Sequence, residues 1–339
     1  MVQATIYGVS GETLTPGEAA FLRDADPWGF IVFRRNLGEA DQVRRLCAGL
    51  REAVGRDAPI LIDQEGGRVA RLVPPLAPKR PPMDRYGELA KLDPAKAEEA
   101  ARLGAKLLAR DCRRLGIDVN CAPVLDVRQP DTHDAIGDRA LARDPQTVAR
   151  LGRAVMDGLM VGGCLPVIKH VPGQGKAMSD SHHELPRVTA PREELEAVDF
   201  PPFRALRDAP LGMTTHVVLE AIDPDHPCTQ SKAVIEDAIR GACGFDGLLM
   251  TDDLSMHALA GDFTQRAERA LAAGCDVVLH CNGDMDEMEA VAAGAGALSA
   301  DGQRRADAAL AVRPVEDAGA EAEDEMTFAA LLKPTGWAA

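Results

Sequence analysis

Nowhere in its 339 residues does the chain hold an apolar run approaching the ~20 residues of a membrane-spanning helix, which excludes a helical membrane protein. The N-terminal MVQATIYGVSGETL lacks a basic segment followed by an apolar stretch, so no secretory signal is expected. Positive charge is also short. Lys and Arg number 38 against 53 Asp and Glu, and the net −15 sets up a field that repels phosphate backbones. Nucleic acid is therefore excluded as a partner. The eight cysteines, at 47, 112, 121, 164, 228, 243, 275 and 281, include no C-x-x-C pair. Several sit in apolar runs such as GCDVVLHC, so reduced, core-packed thiols in a cytoplasmic protein are the expectation. No G-x-G-x-x-G follows the first apolar run, which argues against a dinucleotide-binding doubly wound sheet. Two metal-hydrolase signals are missing as well: there is no H-E-x-x-H, and the first run offers no H-x-H.

What is present is an alternation. Eight short apolar runs recur: ATIYGV (4–9), GFIVF (29–33), PILID (59–63), DVNCAPVLDV (118–127), CLPVIKH (164–170), LGMTTHVV (211–218), GLLMTDD (247–253) and CDVVLHC (275–281). Most do not alternate apolar with polar, as expected of strands buried on both faces. Stretches with helical spacing lie between most of them, clearest at 39–54 and 95–116. Thr15-Pro16 with Glu18 forms a capping box, and Asp93-Pro94 and Asp144-Pro145 each read as a cap followed by a first-turn proline. Eight strand–helix units predict an α/β fold, a single-domain (β/α)8 TIM-type barrel over residues 1–315. Residues 316–339 read as an acidic linker and tail whose FAALLKP end either docks as a short helix or frays.

In such a barrel, chemistry sits at the carboxyl ends of the strands. This chain places Asp63, Asp126, Lys169-His170, His216 and Asp252-Asp253 there. Burying so many charges without partners or a substrate would be costly. The fifth run continues into KHVPGQGKAMSDSHHELP (169–186), a loop with the glycines a mobile segment needs and with Asp180 spaced to orient His182. A carboxylate beside an imidazole favours acid and base work, but an Asx-turn with an exposed histidine fits the local spacing equally well. Adjacent His182 and His183 would diverge in an extended segment, which disfavours a shared metal ion.

Together GETLTPGEAAFL, GFIVFRRN, IDQEGGRVARL, APVLDV, IGDRAL, KHVPGQG with SDSHHELP, and MTDDLSM resemble the β-N-acetylhexosaminidases of glycoside hydrolase family 3. The match is to the single-domain bacterial cytoplasmic type of peptidoglycan recycling, and it covers roughly the first 300 residues. The resemblance implies a retaining exo-hydrolase that removes terminal β-linked N-acetylglucosamine from muropeptides. It makes Asp252 the nucleophile, His182 the acid/base and Asp180 its dyad partner. Asp63, Arg71, Arg139, Lys169 and His170 then hold the sugar. It implies no cofactor and no metal, a small saccharide as partner, no membrane, and a monomer. Two positions depart from the family pattern. Gln174 replaces the histidine of P-G-H-G, which puts the loop pose in doubt, and Arg139 is followed by A-L rather than S-F. Family 3 β-glucosidases and xylosidases would be expected to carry a second domain with a carboxylate acid/base. That reading, a metal-dependent barrel hydrolase and a carbohydrate-binding protein with a dead site are the alternatives.

Overall fold

The computed structural model describes residues 1–181, 184–315 and 321–337. Eight parallel strands close into a barrel: β1 (Gln3–Tyr7), β2 (Pro27–Val32), β3 (Ile60–Ile62), β4 (Val119–Asn120), β5 (Leu165–Val171), β6 (Leu211–Thr214), β7 (Leu248–Asp253) and β8 (Val277–His280). Each strand pairs with its neighbours in sequence, and β1 closes on β8 through Thr5↔Val278 and Tyr7↔His280. This is the (β/α)8 fold. All eight apolar runs supply a strand, though DVNCAPVLDV yields only the two-residue β4 and an isolated bridge from Val124 to Lys169. Pro123 has no N–H to give the ladder, which interrupts the pairing there.

Strand periodicity sorts the core into two layers. Ile6, Ile31, Leu61, Val119, Leu165, Val167, Leu211, Met213, Leu248, Met250, Val277 and Leu279 point inward and fill the barrel. Their alternates, among them Tyr7, Phe30, Ile62, Ile168, Leu249 and Val278, face the surrounding helices. Three helices start as their caps dictate. In α1 (Pro16–Ala25), Thr15 and Glu18 complete the capping box. Asp93 caps α2 (Pro94–Arg113) through the Lys96 N–H, and Asp144 caps α3 (Pro145–Val161) through the Thr147 N–H. All eight cysteines are buried and none forms a disulfide. No helix among the described residues is long and apolar enough to cross a membrane.

The acidic end of the chain contains a further helix, α4 (Glu321–Leu332), which packs on α2. Phe328 and Leu332 enter the core. Its acidic turn meets cations: Glu325 binds Arg80 at 2.8 Å, and Asp324 binds Arg110 at 2.6 Å and Lys106 at 3.1 Å. Arg80 is itself buried against Asp111 at 2.9 Å.

Candidate active site

The inward column of each strand leads directly to the site. Two residues beyond Leu61 is Asp63, two beyond Val167 is Lys169, two beyond Met250 is Asp252, and two beyond Ile31 is Phe33. All four line one cleft of about 360 Å³ at the carboxyl ends of the strands. Met213 and Leu279, from the top of the barrel core, lie at its base. Arg71, Arg139, His170 and Asp180 line the same cleft. Thus seven of the eight residues to which the family resemblance gives a role line one cleft, and the eighth, His182, lies outside the described residues.

The floor is a chain of alternating charges. Arg71 Nη2 binds Asp63 Oδ2 at 3.0 Å, and Asp63 Oδ1 accepts from Lys169 Nζ at 2.9 Å. Lys169 also reaches Glu65 Oε1 at 2.7 Å, and Glu65 takes a bidentate grip from Arg139 with both contacts at 2.8 Å. Lys169 and Glu65 are each only 2% exposed. Burial alone would push the Glu65 carboxyl up, but Arg139 and Lys169 outweigh it and hold it down at about 2. The same contest against burial leaves Asp63 well below the usual carboxylate range, under Lys169 and Arg71. Burial would likewise lower Lys169, yet its two carboxylates keep it above the ordinary lysine value. Asp63, Glu65 and Lys169 are therefore charged at neutral pH, and with Arg71 and Arg139 they are preorganised to bind hydroxyl and amide groups.

Glu65 was not singled out from the sequence. Its position in DQEGGRV, two residues after Asp63, was the available signal. What hides its importance is that Gln64–Gly66 leaves the barrel to pair with Val69–Ala70 as a small hairpin, so strand counting stops at Asp63.

His170 stands on the other side. The Lys169–His170 peptide is cis, and both side chains face the cleft. His170 Nδ1 is 2.7 Å from Asp126 Oδ2. Since a carboxylate only accepts, this bond fixes the hydrogen on Nδ1 and leaves Nε2 without a protein partner among the described residues. Gln174, the departure from the family pattern, is anchored two ways. Its backbone N–H donates to Asp126 Oδ1 at 2.8 Å and its Oε1 accepts from Thr215 Oγ1 at 2.7 Å, which leaves its Nε2 packed against the His170 ring without a bond to the protonated Nδ1. The two loop glycines are needed for close approach. Gly173 has φ of 126°, and a Cβ on Gly175 would lie 2.1 Å from the Val127 carbonyl oxygen.

Of the two aspartates ending β7, Asp253 is consumed by structure. Its Oδ1 accepts from the Ser255 and Cys281 backbone N–H groups at 3.0 and 3.1 Å, and Oδ2 from the Ser255 hydroxyl. Among the described residues Asp252 Oδ1 accepts only the Asp253 N–H, at 2.8 Å, and the side chain lines the cleft. His216 is also structural. Burial depresses its pKa, and its two nitrogens meet Thr229 Oγ1 and the Asp253 carbonyl at 2.7 and 3.0 Å. Among the described residues no group of His, Cys, Asp and Glu is arranged to hold a metal ion.

The comparisons agree with this geometry. Residues 15–312 match the glycosyl hydrolase family 3 N-terminal domain. The chain is 39% identical over 278 residues to a β-hexosaminidase of Chromobacterium violaceum, covering 81% of this chain and 77% of that one. It superposes on the native NagZ structure of Neisseria gonorrhoeae with a TM-score of 0.84 and 31% identity, over 98% of this chain and 96% of that one. That NagZ has also been solved in complex with N-trifluoroacetyl-D-glucosamine. A closed barrel with charged groups at its strand ends is the frame of a barrel enzyme, and the match over residues 15–312 places the chain in glycosyl hydrolase family 3. Within that family it falls with the β-N-acetylhexosaminidases.

Proposed function

We propose that the protein is a retaining exo-β-N-acetylglucosaminidase that cleaves terminal N-acetylglucosamine from muropeptides in peptidoglycan recycling. The observation that carries this reading is the convergence of Asp252, Asp180 and the Asp63–Lys169–Glu65–Arg139 charge chain on one cleft. Binding of an N-acylglucosamine by a related NagZ agrees with it. In the first step the Asp252 carboxylate attacks the anomeric carbon while His182, oriented by Asp180, protonates the leaving oxygen. In the second step His182 takes a proton from water, which attacks the same carbon and frees Asp252. Asp63, Arg71, Lys169, His170 and Arg139 hold the hydroxyls and the acetamido group.

The test compares an aryl β-N-acetylglucosaminide with a GlcNAc disaccharide. An aryl leaving group needs little protonation, whereas a sugar alkoxide needs much. His182→Ala should therefore harm disaccharide cleavage far more, and with the aryl substrate it should show a burst of phenol and acceleration by azide. Asp252→Ala should abolish turnover of both, with the fold intact by circular dichroism. Equal losses in His182→Ala on both substrates, with neither burst nor azide rescue, would remove His182 from the acid/base role.

A further inference from the structure

The grip of Arg139 on Glu65 joins two separate segments, and both of them rest on residues 80–90. Glu65 belongs to the hairpin of Gln64–Gly66 and Val69–Ala70, whose turn sits directly on residues 80–82. The Gly67 N–H donates to the Arg80 carbonyl at 2.9 Å. A Cβ on Gly66, at φ 98°, would lie 2.3 Å from the Pro81 carbonyl oxygen, and one on Gly67 would lie 2.6 Å from the Pro82 Cβ. The hairpin therefore has no slack against this support. Arg139 is supported by the helix Asp84–Ala90. Leu141, two residues after Arg139, packs so closely on Gly87 that a Cβ there would lie 1.9 Å from the Leu141 carbonyl oxygen.

Residues 80–90 are held in turn by α4. The Glu325 carboxylate takes Arg80 bidentately, with Nη1 and Nη2 each at 2.8 Å, and Asp111 of α2 accepts from Nε and Nη2 at 3.2 and 2.9 Å. Phe328 of α4 and Tyr86 of the helix Asp84–Ala90 meet over Gly104 of α2, where a Cβ would lie 2.6 Å from the phenyl ring and 2.2 Å from the tyrosine hydroxyl. Asp324, one residue before Glu325, binds instead to Arg110 and Lys106, both on α2. Two adjacent carboxylates of one helix thus lead to different places, and only Glu325 leads to the hairpin.

We infer that α4 is a positioning element of the charged floor, with Glu325 as its positioning residue: it fixes Arg80, and through residues 80–90 it sets Glu65 against Arg139 and Lys169. Glu325 does not line the cleft and acts only through Arg80. The inference rests on that floor holding the sugar. A bidentate carboxylate–guanidinium contact needs both N–H···O lines at once. A shift of about 1 Å in such a constellation can cost on the order of 100-fold, so a few tenths suffice for a severalfold loss.

The test compares Glu325→Arg, Glu325→Gln and Asp324→Asn with the wild-type protein in steady-state assays of an aryl β-N-acetylglucosaminide, well below every melting temperature. Glu325→Arg sets like charges together at Arg80, and should raise KM about fivefold while kcat changes by less than about twofold. Glu325→Gln keeps an acceptor oxygen and should raise KM about twofold. Asp324→Asn removes an ion pair from the same helix without touching residues 80–90, and should leave KM within about 1.5-fold even where its melting temperature falls as far. A wild-type KM in Glu325→Arg, a loss confined to kcat, or an equal rise of KM in Asp324→Asn would make α4 a stabilising helix only and overturn the inference. Should Glu325→Arg fail to fold, an unchanged KM in Glu325→Gln overturns it equally. Failure of the wild-type protein to turn over the aryl substrate would instead sink the glycosidase reading beneath it.

Discussion

Asp199 ends the π-helical turn Leu195–Asp199 beneath the base of the loop after β5. It is 2% exposed, its Oδ2 has no hydrogen-bond partner among the described residues, and Lys176 Nζ is 3.8 Å away. A Cβ placed on Gly173 would lie 3.0 Å from the Asp199 Cβ, so the carboxyl is pressed against the loop. Burial pushes the Asp199 carboxyl up to about 7. Lys176 opposes the shift, and the charges of Asp126 and Glu194 add to it. Because the folded value is raised, the protonated form favours folding. That stabilisation is fully present below the ordinary value near 4 and is lost as pH rises through about 7. Each pH unit across that span is worth about 1.4 kcal/mol, so ionised Asp199 costs the folded protein on the order of 4 kcal/mol at pH 8. Asp199→Asn keeps the shape and removes the ionisation, while Lys176 retains Glu194 at 2.6 Å. Because the folded value of about 7 already includes the Lys176 attraction, the variant should be about 4 kcal/mol more stable at pH 8, a rise in melting temperature of roughly 6 °C. At pH 5 the advantage should fall to about 2 kcal/mol. Thermal melts followed by circular dichroism at pH 5, 6, 7 and 8 measure this. A shift independent of pH, or a variant less stable than the wild type at pH 8, would refute the reasoning.

The charge chain makes its own demand. Glu65→Gln leaves Arg139 and Lys169 short of a buried anion, and should raise KM for an aryl β-N-acetylglucosaminide by about tenfold or more in steady-state assays. Arg80→Met strips a cation from buried Asp111 and should cost about 3–5 kcal/mol in urea unfolding, whereas Glu325→Gln, at a partly exposed carboxylate, should cost about 1 kcal/mol or less. Prolonged chelation should leave turnover unchanged, since every proposed step uses a protein group. Activity lost to EDTA and restored by zinc would replace the mechanism.

The sequence was legible where the physics is local. Short, mostly continuous apolar runs named all eight strands, and Thr15, Asp93 and Asp144 announced their helices, because such runs and cap geometry depend on neighbours a few residues away. Asp63, Lys169 and Asp252 could be placed at strand ends for the same reason, and alternation from Leu61, Val167 and Met250 turns them inward. Only the closed barrel decided how these groups pair. Lys169 and Glu65 are far apart in the chain yet 2.7 Å apart in space, and His170 acquires a partner, Asp126, from the neighbouring strand's loop. The acidic tail read as solvated because its residues 321–325 are mostly charged, and it docks because Arg80, Arg110 and Lys106 form a complementary surface that no local pattern discloses. Local geometry is written into the spacing of residue types, whereas the strength of a charge depends on which distant groups folding brings beside it and on how much water it excludes.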